Sequence, residues 1–231
     1  MLGITKGYKH SYNDFDVTIK SKVIGNPKKN KIKESLPFMN GSYDFSLIYG
    51  KQSYSERELK YIFNVVGTTK QSLNFKKIRL QNWILEGGEQ KVYDDAIPGY
   101  YFLAECTNTD FSEKGNIGEL TAVFTAYPFK ICENEEGNLF WDKFNFELDI
   151  LQDNKFEVNR TKNTTLYNVG SKEAIPTVIC SNDMDVIKNG TTYKLKSGQN
   201  KDYRFTFDIG ENKLIINGTG TIEFKFIKEL I

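Results

Sequence analysis

Histidine is almost missing from this chain of 231 residues: His10 is the single copy. A Ser-His-Asp or Cys-His device would have to be built on that residue, in the polar and flexible-looking stretch Lys9-His10-Ser11. Cysteine is scarce and odd in number. Cys106, Cys132 and Cys180 have no CxxC spacing, which argues against a disulfide framework and against a zinc site. Reduced, mostly buried thiols are expected. Charge of one sign is missing too: 31 Lys and Arg face 30 Asp and Glu, so a net +1 supplies no field to hold nucleic acid or an anionic membrane. No apolar run approaches the roughly 18 residues of a membrane span, and the first fifteen residues lack the apolar core of about 7 to 15 that a signal peptide needs. A chain made and folded in a cytoplasm is the expectation.

The ligand patterns that are present fail on inspection. Gly218-Thr219-Gly220 begins like a phosphate loop, but Glu223 stands where a third glycine would be, and a strand follows instead of a helix. It reads as a turn. Asp183-Met184-Asp185 has the first spacing of a calcium loop, yet Ile187, Lys188 and Lys194 occupy later positions that would need oxygens or glycine. Asp14, Asp16, Asp94, Asp95 and the acidic cluster at 133–136 could pair as glycosidase carboxylates, but spacing along the chain brings no two of them together. Trp83 and Trp141 could stack on sugar rings; Trp83 lies on the apolar side of a helix and suits a core better. No metal, nucleotide or organic cofactor is expected, and no enzymatic activity.

What the chain does have is aromatic and turn chemistry. Seventeen Phe and thirteen Tyr, with recurring Asn-Gly pairs, favour sheets. Asn40-Gly41 has the form of a tight hairpin turn, with strand candidates at 15–23 before it and 43–49 after it. The charged segment at 28–37 is too polar for a core. Residues 59–66 are apolar on both faces, so a strand there expects company on both sides. The pattern at 72–85, with Leu73, Lys77, Leu80 and Ile84 at helical spacing and Gly87-Gly88 behind it, predicts one helix. Residues 96–104 and 119–126 are further strand candidates. ENEEGN at 133–138 reads as a linker. Beyond it the texture is short-stranded: VIKNGTTYKL is an Asn-Gly hairpin, FTFDI and KLIING form another pair, and TIEFKFI alternates. Turn signals at this rate indicate a β-sandwich.

The order of these segments resembles the distal tail (Dit) family of long-tailed bacteriophages of Gram-positive hosts, over most of the chain. The resemblance runs from SYNDFDVTIKSKVIGNP through the Pro-x-x-Asn-Gly turn (Asn40, Gly41) and YDFSLIYGKQSYSERELKYIF, where Tyr54 and Arg57 match a tyrosine followed by an arginine at the start of a strand. It continues through the helix that holds Trp83, the strand opening VYDDAIPGYYFLAE, and Pro128-Phe129 closing the first domain. The second half is similar in YNVGSKEAIPTV and FDIGENKLIINGTGTIEFKF.

The resemblance implies a mainly β protein. A ring-forming first domain of β-sandwich type at 1–132, with one helix and an extended hairpin, would be followed by a linker at 133–138 and a galectin-like β-sandwich at 139–231, whose last strand is free to pack back on the first domain. It implies a hexameric ring joining the tail tube to the tip complex and surrounding the DNA exit channel, located in the virion and assembled in the host cytoplasm. The implied partners are the major tail protein, the tape-measure protein and a tail-associated baseplate or lysin protein; DNA would pass without specific binding, and no membrane is involved. A departure is the compact second half, which leaves little room for an inserted carbohydrate-binding module. The alternative is a carbohydrate-binding β-sandwich protein that recognises a cell-wall polymer.

Overall fold

The computed structural model describes residues 2–48, 50–137 and 144–231. Trp141 and the junction around it lie outside these. The chain divides into two compact units, one of residues 1–130 with 231, the other of residues 131–230. Strand dominates both, and the described residues contain two helices.

The first unit contains β1 (Ile4–Lys6), β2 (Lys9–His10), α1 (Ser11–Phe15), β3 (Thr18–Ile24), β4 (Lys33–Glu34), β5 (Tyr43–Asp44), β6 (Arg57–Val66), α2 (Lys70–Leu85), β7 (Gln90–Asp94), β8 (Tyr100–Lys114) and β9 (Ile117–Ala126). Seven of the strands form a sheet in the order β2-β1-β7-β8-β9-β6-β3. The sheet curls until β3, at its end, meets β7. Lys22 Nζ on β3 reaches both carboxylate oxygens of Asp94 on β7 at 2.7 Å, and the Tyr61 hydroxyl of β6 donates to the same carboxylate at 3.0 Å.

Helix α2 covers one face because Leu73, Leu80, Trp83 and Ile84 fall on one side of it. They pack against Leu59, Tyr61, Phe63 and Val65 of β6 and Leu120, Ala122 and Phe124 of β9. The expectation that β6 is covered on both faces is corrected: its outward residues are partly or fully exposed, with Val66 at 53%. Apolar type alone does not tell a covered face from a half-covered one.

Trp83 stacks on Phe15 at 4.7 Å, and its indole N–H donates to the Lys6 carbonyl at 3.1 Å. Lys6 is itself buried and donates to the carbonyls of Trp83 (3.4 Å) and Glu86 (2.5 Å), where the helix leaves acceptors unpaired. Burial pulls the Lys6 pKa below its ordinary value.

The N-terminal stretch is tied down by hydrogen bonds. His10 Nδ1 accepts the N–H groups of Tyr12 and Asn13, capping α1, which leaves the Nε2 proton to donate to Asp95 at 3.0 Å. The lone histidine is a cap.

The second unit contains β10 (Lys130–Cys132), which begins at the boundary, then β11 (Lys155–Asn168), β12 (Thr177–Cys180), β13 (Met184–Lys188), β14 (Thr191–Leu195), β15 (Gly198–Asn200), β16 (Gly210–Lys225) and β17 (Glu229–Leu230). The long β16 pairs with β11 throughout β11's length and with β13 and β12 on its other edge. Phe205, Phe207, Phe224 and Phe226 make an aromatic core with ring centroids 4.9 to 6.3 Å apart. The hairpin of β13 and β14 turns through Asn189 (φ +49°) and Gly190 (φ +79°), as the Asn-Gly reading requires.

Two readings of this half are corrected. Gly218-Thr219-Gly220 is not a turn but the middle of β16; a Cβ at 218 would meet Met184 at 2.7 Å and one at 220 would meet Ser181 at 2.2 Å, so glycine admits a close crossing there. The acidic stretch at 133–137 is not a free tether. Glu136 is buried, its N–H donates to the Phe226 carbonyl at 2.8 Å, and its carboxylate lies 3.2 Å from Nζ of Lys228. Lys228 is fully buried, also paired with Asp149 and donating to the Leu148 carbonyl at 2.8 Å. Burial pushes the Glu136 pKa up against the pull of that ammonium.

Candidate assembly surface

Between β3 and β6 the chain leaves the first unit's sheet as an arm, residues 28–55. Its legs are held by backbone bonds from Ser55 to Lys28 (2.9 Å), Asn30 to Ser53 (3.0 Å) and Phe45 to Ile32 (2.8 Å). Further out, β4 and β5 pair Lys33 with Asp44 and Glu34 with Tyr43. By strand alternation Lys31, Lys33 and Asp44 share one face, while Ile32, Glu34, Tyr43 and Phe45 share the other. On the first face Asp44 accepts from the Ser46 N–H at 2.9 Å and from Lys31 Nζ at 3.1 Å; bonds to Ser46, with Lys31 adding to them, hold its carboxyl well below the usual range.

The other face is apolar and open to solvent. Its Ile32, Tyr43 and Phe45 are exposed, and so are Leu36, Phe38, Leu47 and Ile48 in the loops beside the paired strands, Phe38 at 109%. Phe38 also has φ +68°, a conformation that bulky residues avoid. A run of this size on a projecting element marks an interaction surface, because solvated monomers rarely display one.

Asn40 and Gly41 lie in the loop at this arm's end, both exposed, with Gly41 at φ +94°. The two-residue hairpin expected there is corrected: residues 35–42 separate β4 from β5, and β5 ends at Asp44. Pro37 and the strained Phe38 widen the loop beyond what Asn-Gly alone would close.

The arm's root is aromatic. Tyr54 packs edge-on against Phe129 at 5.4 Å, Tyr127 lies 5.7 Å from Phe129, and Pro128 is buried between them in sequence. Arg57, the first residue of β6, is only 3% exposed and sits 5.7 Å from the Phe102 ring centre. Its Nε and Nη2 have no hydrogen-bond partner among the described residues. Burial lowers the Arg57 pKa; Lys130 is lowered by its own burial and by the Arg57 charge.

Thus Asn40 and Gly41 share the arm's tip, Arg57, Pro128 and Phe129 belong to its root, and Trp83 is apart from both, in the core. The exposed apolar side chains were the part that sequence reading missed. The signal was Ile32 facing Phe45 across a register that only the paired legs define.

Among the described residues no three His, Cys, Asp or Glu side chains gather as metal ligands, and no helix is long and apolar enough to cross a membrane. The three cysteines are free and buried, and burial raises each thiol's pKa.

This architecture, a curled sheet with a covering helix and a projecting arm continued in sequence by a compact β unit, is similar in fold to a solved phage protein. The comparison that carries this is with SPP1 Dit (gp 19.1), described as a paradigm of the hub adsorption apparatus in phages that infect Gram-positive bacteria. The two superpose with a TM-score of 0.70 over the whole of both chains at 11% sequence identity, a likeness of fold. A chain of the phage P2 baseplate, in its activated conformation with Ca, covers 98% of its own length against this chain at a TM-score of 0.43 and 8% identity, too distant to carry an argument. No family model and no curated protein sequence matches the chain.

Proposed function

We propose that this protein is a structural hub of a phage tail, with no enzymatic activity. Six copies form a closed ring through the first unit, joining the tail tube to the tip complex and surrounding the channel through which DNA leaves. The observation that carries this is the arm: an apolar face on a projecting element is matched by burial only when another chain covers it. Cyclic closure uses one heterologous pair of surfaces repeatedly and leaves none free. The number six, the DNA channel and the neighbours (major tail protein, tape-measure protein and baseplate or lysin protein) come from the family resemblance, as does the place in the virion. The fold shared with SPP1 Dit supports the same reading.

Analytical ultracentrifugation across a concentration series, with electron microscopy of the product, tests it. A closed ring of six times the subunit mass is the expected outcome. An assembled particle in which residues 1–130 touch no second copy would end the proposal.

A further inference from the structure

Helix α2 is apolar on two opposite sides. At the helical repeat, Phe75, Ile78 and Leu85 come round on the side away from Leu73, Leu80 and Ile84. The second set is buried against the sheet; the first is open to solvent, Phe75 at 58% and Ile78 at 52%. Gln71 and Asn82 complete that outward face, so its centre carries no charge. A helix with one neighbour needs one apolar stripe, and a second stripe calls for a second covering surface.

The helix's own charges select what can cover it. Lys70, Lys76, Lys77 and Arg79 are its charged residues, all cations. Lys70 and Lys76 are paired with Glu113 and Asp16, whereas Lys77 and Arg79 lie over the rings of Phe111 and Phe15 with no carboxylate partner among the described residues. A second α2 laid along the first would set cations against cations, an unfavourable contact. The paired strands of the arm offer a better match. Ile32, Tyr43 and Phe45 are exposed beside Glu34, the one charged side chain on that face, while Lys31, Lys33 and Asp44 lie on the other. A heterologous ring also needs two different surfaces on every copy, one given and one receiving, and the arm supplies only the first.

We infer that the outward stripe of α2 in one copy receives the apolar face of the next copy's arm, so that the arm's Ile32, Tyr43 and Phe45 cover Phe75 and Ile78. The inference rests on the ring reading and deepens it by naming the receiving surface.

Cross-linking of the full chain tests it directly. Phe45→Cys and Ile78→Cys are treated with a short bismaleimide, alone and mixed in equal amounts, at concentrations where the chain is assembled; the three native thiols are buried, and wild type serves as the blank. The mixture is expected to give a covalent dimer with one copy of each variant, identified by mass, and Ile78→Cys alone to give none. A dimer from Ile78→Cys alone that outweighs the mixed one would assign the stripe to a second α2, and a cross-link within a single copy of the double variant at dilution would assign it to the chain's own arm; either overturns the inference. Sedimentation gives a second readout. Phe75→Ser and Ile78→Ser are each expected to weaken association about thirtyfold, the scale of a central interface side chain, with the dilute melt unchanged because both side chains are exposed in the free chain. Tyr203→Ser, at an exposed residue of the second unit, is expected to leave association and melt as they are. A wild-type ring whose association neither α2 variant weakens overturns the α2 seat and leaves the ring reading standing. A wild-type chain that stays monomeric at every concentration overturns both.

Discussion

The body of the first unit and its arm are built from the same residue types in opposite arrangements. In the body, Leu59, Tyr61, Phe63 and Val65 alternate inward and are all fully buried. In the arm, Ile32, Tyr43 and Phe45 alternate just as regularly and are all exposed. The difference is what lies opposite: α2 covers the body's face, and nothing described in this chain covers the arm's. An apolar stripe therefore states that burial will occur, and tertiary structure states whether it occurs within the chain or between chains. The charges follow the same division. Lys228 in the second unit is fully buried with two carboxylates around it, whereas Arg57 at the arm's root is buried without one.

If that contrast is right, removing Lys228 should have the largest effect on the free chain. Lys228→Ala strands Glu136 and Asp149 in a buried site and is expected to destabilise by about 3 to 5 kcal/mol in urea titrations. Phe63→Ala, which opens a cavity beneath α2, should cost a similar amount of about 3 to 4 kcal/mol, whereas Phe45→Ala on the arm should stay within about 0.5 kcal/mol in the same measurement. An equal loss for both phenylalanines would show that the arm's face is already covered, and the comparison would fail.

Acid sharpens the contrast, because the two regions respond with opposite signs. Glu136 has a raised pKa in the folded chain, so its contribution to stability is full below its ordinary value of 4.5 and is lost as pH rises through the folded value. Asp44 has a lowered one, so its contribution is full above 3.8 and is lost as pH falls. Carboxyl carbon NMR titrations of the two residues, with Glu136→Gln and Asp44→Asn as controls in pH-dependent melts, check both signs. The smallest effect is at the arm's tip. Gly41→Val places a β-branched residue at φ +94° in open space, where the strain is about 1 kcal/mol and local; loop NMR shifts should change while the global melt does not.

Much of the fold was legible because periodicity and turn chemistry are local properties. The 3.6-residue spacing of Leu73, Leu80 and Ile84 placed α2, and Asn189-Gly190 placed the hairpin of β13 and β14. The strand β11 escaped notice because its central NRTKNTT is polar: it pairs along β16 through backbone bonds and contributes few buried side chains, leaving little pattern to read. Gly218 and Gly220 misled for a related reason. Glycine marks a turn only where nothing crosses close by, and here Met184 and Ser181 do.

The sequence by itself determined the class of the molecule: strand-rich through its aromatic and Asn-Gly content, with one long helix and three cysteines in no CxxC spacing. It also determined the order of segments that resembles distal tail proteins. Tertiary structure alone decided which charges are compensated and which apolar face is left open. Lys228 meets Glu136 from 92 positions away, and Ile32 shares an exposed face with Phe45 only because the arm's legs pair in one register. Periodicity acts between neighbours in the chain, whereas desolvation of a charge or a face depends on atoms brought close by folding, and those distances are written in no local stretch of residues.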